Sequence, residues 1–312
     1  MKLIGVGHID AQRISENLQK KQLSVILLPG IGDIIYTWYK LIHYVNDGYV
    51  FNVKVLDCQP QRSHQIMGCL EGMKSFEYIG GFDYSRYWLV NIEDLLIPPL
   101  YGTFRKIPVL HINSFLETNQ HIDTFMPNCP VNYNIKINTT IEAIEWSKKL
   151  INSENYNILL YTSNYKNNIE CKTHPDPQYW VDLSLLCYEF SGSEKPLNIY
   201  VVGAQYDADL TIDTYNKLEK MGINTKILLN EDFYNIIELI RNVDHVISYE
   251  SGLSMISDCL HTPLFHIIRC QGGERDDKKF PFLGPINPSG FNIRYWPIFY
   301  DESIEEIRRK IL

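Results

Sequence analysis

The amino-acid sequence predicts an α/β protein made of two successive halves, each a parallel sheet covered by helices. Three observations predict it. Short apolar runs rich in Val, Ile, Leu and Tyr recur along the chain, each bounded by polar or turn residues, as buried strands require. Between them lie longer stretches with apolar residues every three or four positions, the period of core-facing helices. A polar segment, Asn152-Ser153-Glu154-Asn155, then divides the alternation into two series. The length of 312 residues points the same way, because a single core seldom serves more than about 250–300 residues.

The first series opens with a short strand at residues 2–6 and a polar helix at 10–21. Residues 24–28 form a buried-strand run, broken by Pro29-Gly30-Ile31-Gly32-Asp33. The helix that follows carries Ile34, Ile35, Trp38, Leu41, Ile42 and Val45 on one face, and Gly48 closes it. A strand at 52–57 completes a β–α–β unit, which implies parallel pairing. A helix at 59–72 and strands at 76–79 and 87–90 continue the pattern. Residues 95–132 are irregular and rich in Pro and aromatic residues, as suits a surface shaped for a partner.

The second series begins with a helix at 139–150, then the polar segment as a linker. Strands at 157–161, 197–202, 224–229, 244–248 and 263–268 alternate with helices at 178–190, 207–221, 232–242 and 255–260. Asn230 is expected to cap the helix at 232–242, and Gly222 to close the one before it. A Gly-, Pro- and charge-rich stretch at 271–290 reads as a long loop, either a lid or a disordered segment. The last helix, 303–312, has Ile304, Ile307 and Ile311 on one face, available to pack back on the N-terminal half. The division expected is a domain at 1–152 and a second at 153–312, both Rossmann-like and facing one cleft.

Composition narrows the function. A hydrophobic share of 45% with 21% charge describes a soluble globular chain. Its apolar runs are too short to span a bilayer and its first residues lack a signal core, so a cytoplasmic location is expected. Seven cysteines without a C-x-x-C pair read as reduced thiols, and nine histidines without ligand spacing argue against a structural metal. The net charge of −8 opposes general affinity for nucleic acid, though not a local basic groove.

Four local motifs carry chemistry. Tyr249-Glu250-Ser251-Gly252-Leu253-Ser254 lies between an apolar strand and a short helix, with Ser251 at the cap position and Gly252 allowing close approach to the backbone. Such a turn aims N–H groups past the carboxyl edge of a sheet, where a diphosphate commonly binds; an ordinary strand-to-helix turn is the other reading. Gly30-Ile31-Gly32 with Asp57 invites a dinucleotide reading, but Ile35 stands where that motif needs a small residue. Asp33 is either a helix cap or a general base fixed on a rigid turn. Asp207-Ala208-Asp209 matches a metal-holding D-x-D pattern, and equally opens a helix with acids that suit its dipole.

These patches together resemble the ADP-heptose–lipopolysaccharide heptosyltransferase family (glycosyltransferase family nine), whose fold is of the GT-B type. Gly30-Ile31-Gly32-Asp33 is similar to the family's Gly-Asp turn. Thr162-Ser163 with Lys172 ahead of His174-Pro175 and Tyr179-Trp180 is similar to its phosphate-binding segment. Residues 197–203 look like its Val-Gly-Gly strand, and Glu250-Ser251-Gly252-Leu253-Ser254 like its donor turn. In element order the resemblance covers most of residues 23–268; in sequence it covers only these patches. Glu250 replaces an Asp, Met255 a His, and His174 a Trp, so one polar donor contact is missing.

The resemblance implies an inverting, metal-independent glycosyltransferase with Asp33 as base. It implies Gly32, Thr162, Ser163, Lys172, Glu250, Ser251, Gly252, Leu253 and Ser254 at the donor, and no cofactor beyond a nucleotide sugar as co-substrate. The acceptor would be a saccharide or glycolipid. The alternatives are a phage-type DNA-base glycosyltransferase, a non-catalytic nucleotide- or glycan-binding protein of this fold, and an NAD-dependent oxidoreductase.

Overall fold

The computed structural model describes residues 22–27, 31–56, 68–79, 96–97, 105–106, 135–162, 176–249, 251–268, 295–299 and 302–312. Contacts divide the chain into two compact units, Met1–Asn138 and Thr139–Leu312. The division falls ahead of the helix at Ile141–Leu150, which therefore belongs with the second unit. The expected elements at 2–6, 10–21 and 87–90, the long loop at 271–290, and most of the helix at 59–72 and of the segment 95–132 lie outside the described residues.

In the first unit, β1 (Gln22–Leu27), α1 (Ile31–Asn46), β2 (Val50–Leu56) and β3 (Met73–Ile79) build a parallel sheet in the order β1-β2-β3. A short antiparallel pair, β4 (Leu96–Ile97) and β5 (Arg105–Lys106), completes its described strands. The face of α1 read from the sequence is the buried one: Ile34, Ile35, Trp38, Leu41 and Ile42 are all within the core. The Trp38 ring meets Phe51 edge-on at 5.5 Å, and its Nε1–H donates to the Glu71 carbonyl at 3.1 Å. That bond fixes the turn before β3. The turn ends at Gly72, whose φ of +83° only glycine adopts without strain, and a Cβ there would also collide with Val45.

The second unit is a six-stranded, wholly parallel sheet in the order β11-β10-β9-β6-β7-β8. Its elements are α2 (Ile141–Leu150), β6 (Tyr156–Tyr161), α3 (Pro177–Ser191), β7 (Leu197–Gly203), α4 (Ala208–Lys220), β8 (Asn224–Leu229) and α5 (Phe233–Asn242). After these come β9 (His245–Tyr249), α6 (Gly252–Cys259), β10 (Leu264–Ile268), β11 (Tyr295–Phe299) and α7 (Ile304–Ile311). One face of the sheet, with Ile158, Leu160, Ile199, Val201, Ile247, Tyr249, Phe265 and Ile267, packs with Trp180, Val181, Leu183 and Leu186 of α3. Strands buried on both faces read as continuous apolar runs, which is why the sequence located them well.

Helix ends follow local chemistry. Asp176 caps α3 by accepting from Tyr179 N at 2.9 Å, and Gly192 closes it in the left-handed region. Ser303 and Glu306 form the capping box of α7, which packs on α3 with Ile307 buried and Arg308 paired to Glu189 at 2.9 Å. One cap departs from expectation. Asp232, not Asn230, caps α5 by accepting from Tyr234 N, while Asn230 takes φ +55° and turns its side chain to another loop.

Two polar clusters fasten α2 and the turn after it. Thr139 Oγ1 donates to the buried Glu238 carboxylate, which also accepts from Arg241 Nε at 3.0 Å; Ser147 Oγ donates to the Glu238 carbonyl. At the amino edge of the sheet, Asn157 Nδ2 donates to the carbonyls of Asn152 and Asn155, and Asn157 N to Asp244 Oδ2 at 2.8 Å. The polar stretch read as a linker is thus a turn bonded to β6.

Two outcomes test this packing. Gly72→Ala is expected to lower stability by about 1 kcal/mol or more, read by urea unfolding, because the left-handed backbone and the Val45 contact both oppose it. Burial pushes the Cys187 thiol well up. The folded state then keeps a proton that the unfolded state releases, so this stability is complete below the ordinary thiol value, about 8.5, and is lost as pH rises beyond it. The urea midpoint should fall between pH 7.5 and 10, and fall less in Cys187→Ala.

Candidate functional site

The order of the second sheet places the site. From β6 the chain steps outward through β7 and β8, then returns to lay β9 on the other side of β6. The carboxyl ends of β6 and β9 therefore flank the point where the strand order reverses, the usual ligand crevice of an open parallel sheet. Tyr161 pairs with Ser248 in register, so Thr162 and Tyr249 are the next residues on the two strands. Tyr161 also pairs with Val202, which sets Thr162 beside Gly203 on its other side. Thr162 stands at the middle of this edge, is fully buried, and its Oγ1 has no hydrogen-bond partner among the described residues.

The turn from β9 into α6 has the predicted strand–cap–helix form. Ser251 is the N-cap, and its Oγ accepts from Leu253 N at 3.2 Å. A capping box closes around it: Ser254 Oγ accepts from Ser251 N at 3.3 Å and donates to the Ser251 carbonyl at 2.6 Å. Ser248 Oγ lies 3.2 Å from Ser251 Oγ. The first turn is therefore partly capped by its own serines, and Gly252 N–H is the donor left without an acceptor among the described residues. Leu253, Ser254 and Met255 are buried, so the apolar side of this turn is core and its backbone side is what a ligand can meet.

The neighbouring loop, after β7, is closed on itself. Asp207 Oδ1 accepts from Ala204 N at 2.5 Å, and Asn230 Oδ1 from Gln205 N at 2.8 Å. Asp207 is buried while Asp209 is exposed on α4, so the two acids of the D-x-D match serve different surroundings. Among the described residues no group of three or more His, Cys, Asp or Glu is placed to hold a metal. None of the described helices is long and apolar enough to cross a membrane.

Of the other expected site residues, Gly32 and Asp33 lie in the first turn of α1, in the first unit. The helix begins at Ile31, so Asp33 is its third residue and not its cap. Ser163, Lys172 and Glu250 lie outside the described residues. Sequence reading passed over Ser248, which looked like an ordinary strand residue. Trp180, marked only as part of the resembled phosphate-binding segment, packs its ring at 6.2 Å from Tyr249, at the same edge as Thr162.

No protein-family model matches the sequence, and a search of curated proteins finds no match. Solved structures do match. The E. coli ADP-heptose lps heptosyltransferase II is similar over 93% of this chain and 97% of its own, at 9% identity and a TM-score of 0.57. A glycosyl transferase family 9 protein from Veillonella parvula DSM 2008 is similar over 93% of this chain and 90% of its own, at 11% identity and a TM-score of 0.53. An E. coli heptosyltransferase solved with ADP-2-deoxy-2-fluoro heptose covers 93% and 98%, at 12% identity and a TM-score of 0.54. The likeness shows the fold: this chain has the α/β architecture of these glycosyltransferases, the GT-B type expected from its sequence.

The turn can be tested directly. Gly252→Val leaves the Ser251 cap intact but puts a branched side chain where backbone must meet ligand, so nucleotide-diphosphate binding should fall at least tenfold in calorimetry with little change in melting temperature. Ser251→Ala should instead cost about 1 kcal/mol of stability through the lost cap.

Proposed function

We propose that the chain is an inverting, metal-independent glycosyltransferase that moves a sugar from a nucleotide-diphosphate sugar to an acceptor hydroxyl of a saccharide or glycolipid. The observation that carries the reading is the capped turn of β9 and α6, set beside the buried Thr162 hydroxyl at the strand-order reversal of a chain with a heptosyltransferase-like fold. In this reading the second unit holds the donor. Gly252 N–H and Thr162, with Ser163, Lys172 and the Glu250–Ser254 turn, meet the diphosphate. The positive end of α6 and the lysine neutralise charge that grows on the leaving group as the anomeric C–O bond breaks.

The first unit holds the acceptor. Its hydroxyl oxygen forms the new bond to the anomeric carbon from the opposite side, and Asp33 takes the proton, so the anomeric configuration inverts. Asp33 suits that role because the first turn of a helix fixes its backbone, and general-base help of roughly 10²–10⁴-fold depends on fixed approach. The net charge of −8 favours a saccharide or glycolipid over DNA as acceptor.

A second reading, binding without turnover, has one observation in its favour. Met255, where the resembled family has His, is buried in the first turn of α6 and offers no polar contact. Release of nucleoside diphosphate from a panel of nucleotide sugars and acceptors separates the two: turnover supports the transferase, and binding without release supports the second reading. Within the transferase reading, Asp33→Asn should leave donor binding and stability near normal and lower turnover by about two orders of magnitude or more. Lys172→Ala should weaken donor binding and reduce its salt dependence; unchanged affinity at low ionic strength removes Lys172 from the site.

A further inference from the structure

Among the buried polar atoms of the second unit that have no hydrogen-bond partner among the described residues are Thr162 Oγ1 and Trp180 Nε1, both on residues with no exposed surface. Three relations bring them to one corner. Side chains alternate along β6, and Ile158 and Leu160 join Trp180 in one core cluster, so Thr162, two residues beyond Leu160, faces the same side. The helix α3 returns antiparallel to the strands it connects, which sets Trp180, in its first turn, at the carboxyl edge. Tyr249, next in register to Thr162, has its ring against Trp180 and belongs to the same cluster.

An interior normally pairs its polar groups. A buried donor without a partner opposes folding, and a phenylalanine or valine of similar shape would not. Here two such groups lie on the same side of the sheet at its carboxyl edge, the edge where open parallel sheets bind ligands. An indole N–H can only donate, and a threonine hydroxyl can donate as well, so together they suit an oxygen rich in lone pairs.

We infer that Thr162 Oγ1 and Trp180 Nε1 form a buried two-donor subsite on the α3 side of the strand-order reversal, which takes an oxygen of a bound diphosphate and is held unpaired in the free protein at the expense of stability. The inference rests on the donor reading above and adds to it Trp180, a donor from the helix behind the strand edge. Local strain or unmet polarity kept at a site is stability given up for binding.

Differential scanning calorimetry and titration with inorganic pyrophosphate test it on the full chain, using Thr162→Val, Trp180→Phe and Gly252→Val. The free Thr162→Val protein is expected to melt higher than the parent, by about 2–4 °C, because an unpaired hydroxyl becomes a methyl. Its pyrophosphate affinity should fall about tenfold, and that of Trp180→Phe similarly. Should Trp180→Phe fail to fold, Thr162→Val alone decides. A lower melting temperature for free Thr162→Val would mean that an ordered water already satisfies the hydroxyl, and would overturn the subsite. Parental affinity in both variants, with affinity lost in Gly252→Val, would also overturn it and leave the donor reading standing. If neither pyrophosphate nor ADP, UDP or GDP binds the parent, the donor reading itself fails and the subsite with it.

Discussion

Parallel pairing of β6 with β9 is the interaction on which the second unit depends. These strands lie far apart in the chain, and everything between them, β7, β8 and their helices, is laid out on one side so that β9 can return to the other. The pairing buries Ile158, Leu160, Ile247 and Tyr249 in one core with α3. It also reverses the strand order, and open parallel sheets take ligands beyond the carboxyl ends of the strands at such a reversal. The contact that closes the core thus also sets where the candidate site lies.

Polar satisfaction differs sharply between the two edges of that sheet. At the amino edge, Asn157, Asn198, Tyr200 and Asp244 bond to one another and to the turn at 152–155, and Tyr200 OH donates to the Leu150 carbonyl at 3.0 Å. Such a network rigidifies the edge because nearly every member has a partner. At the carboxyl edge the β7 loop is similarly closed by Asp207 and Asn230, yet Thr162 and Trp180 between α3 and β9 are not paired. A folding protein has little reason to leave that corner unpaired unless something else pairs it. Among the described residues, the amino edge leaves one acceptor, Asn198 Oδ1, without a partner, whereas the carboxyl edge leaves two groups able to donate, and that difference is the physical case for a ligand there.

One departure from the resembled family, Met255, lies in the first turn of α6. Met255 is buried against the core, so the position that carries a His in that family contributes packing here. The serines take over much of the local hydrogen bonding: Ser248, Ser251, Ser254 and Ser257 all bond within or next to the first turn of α6. The turn is thereby stiff before any ligand arrives. What it offers is the Gly252 N–H and the dipole of a two-turn helix, a modest attraction that needs help from neighbouring donors.

The sequence by itself determined the elements. Buried parallel strands are apolar throughout and amphipathic helices repeat every 3.6 residues, so β6 and β10 were read to within one residue and most others within a few. Local chemistry also marked the Ser251 cap, since a cap depends only on residues a few positions apart. Asn230 was misread because its role, holding Gln205 N from a loop 25 residues away, is not local. For the same reason the strand order and the placing of Thr162 and Trp180 beside Tyr249 were decided only by the tertiary structure. Each depends on which strand lies beside which, and that is set by burial of the whole sheet at once, a quantity no short window of sequence contains.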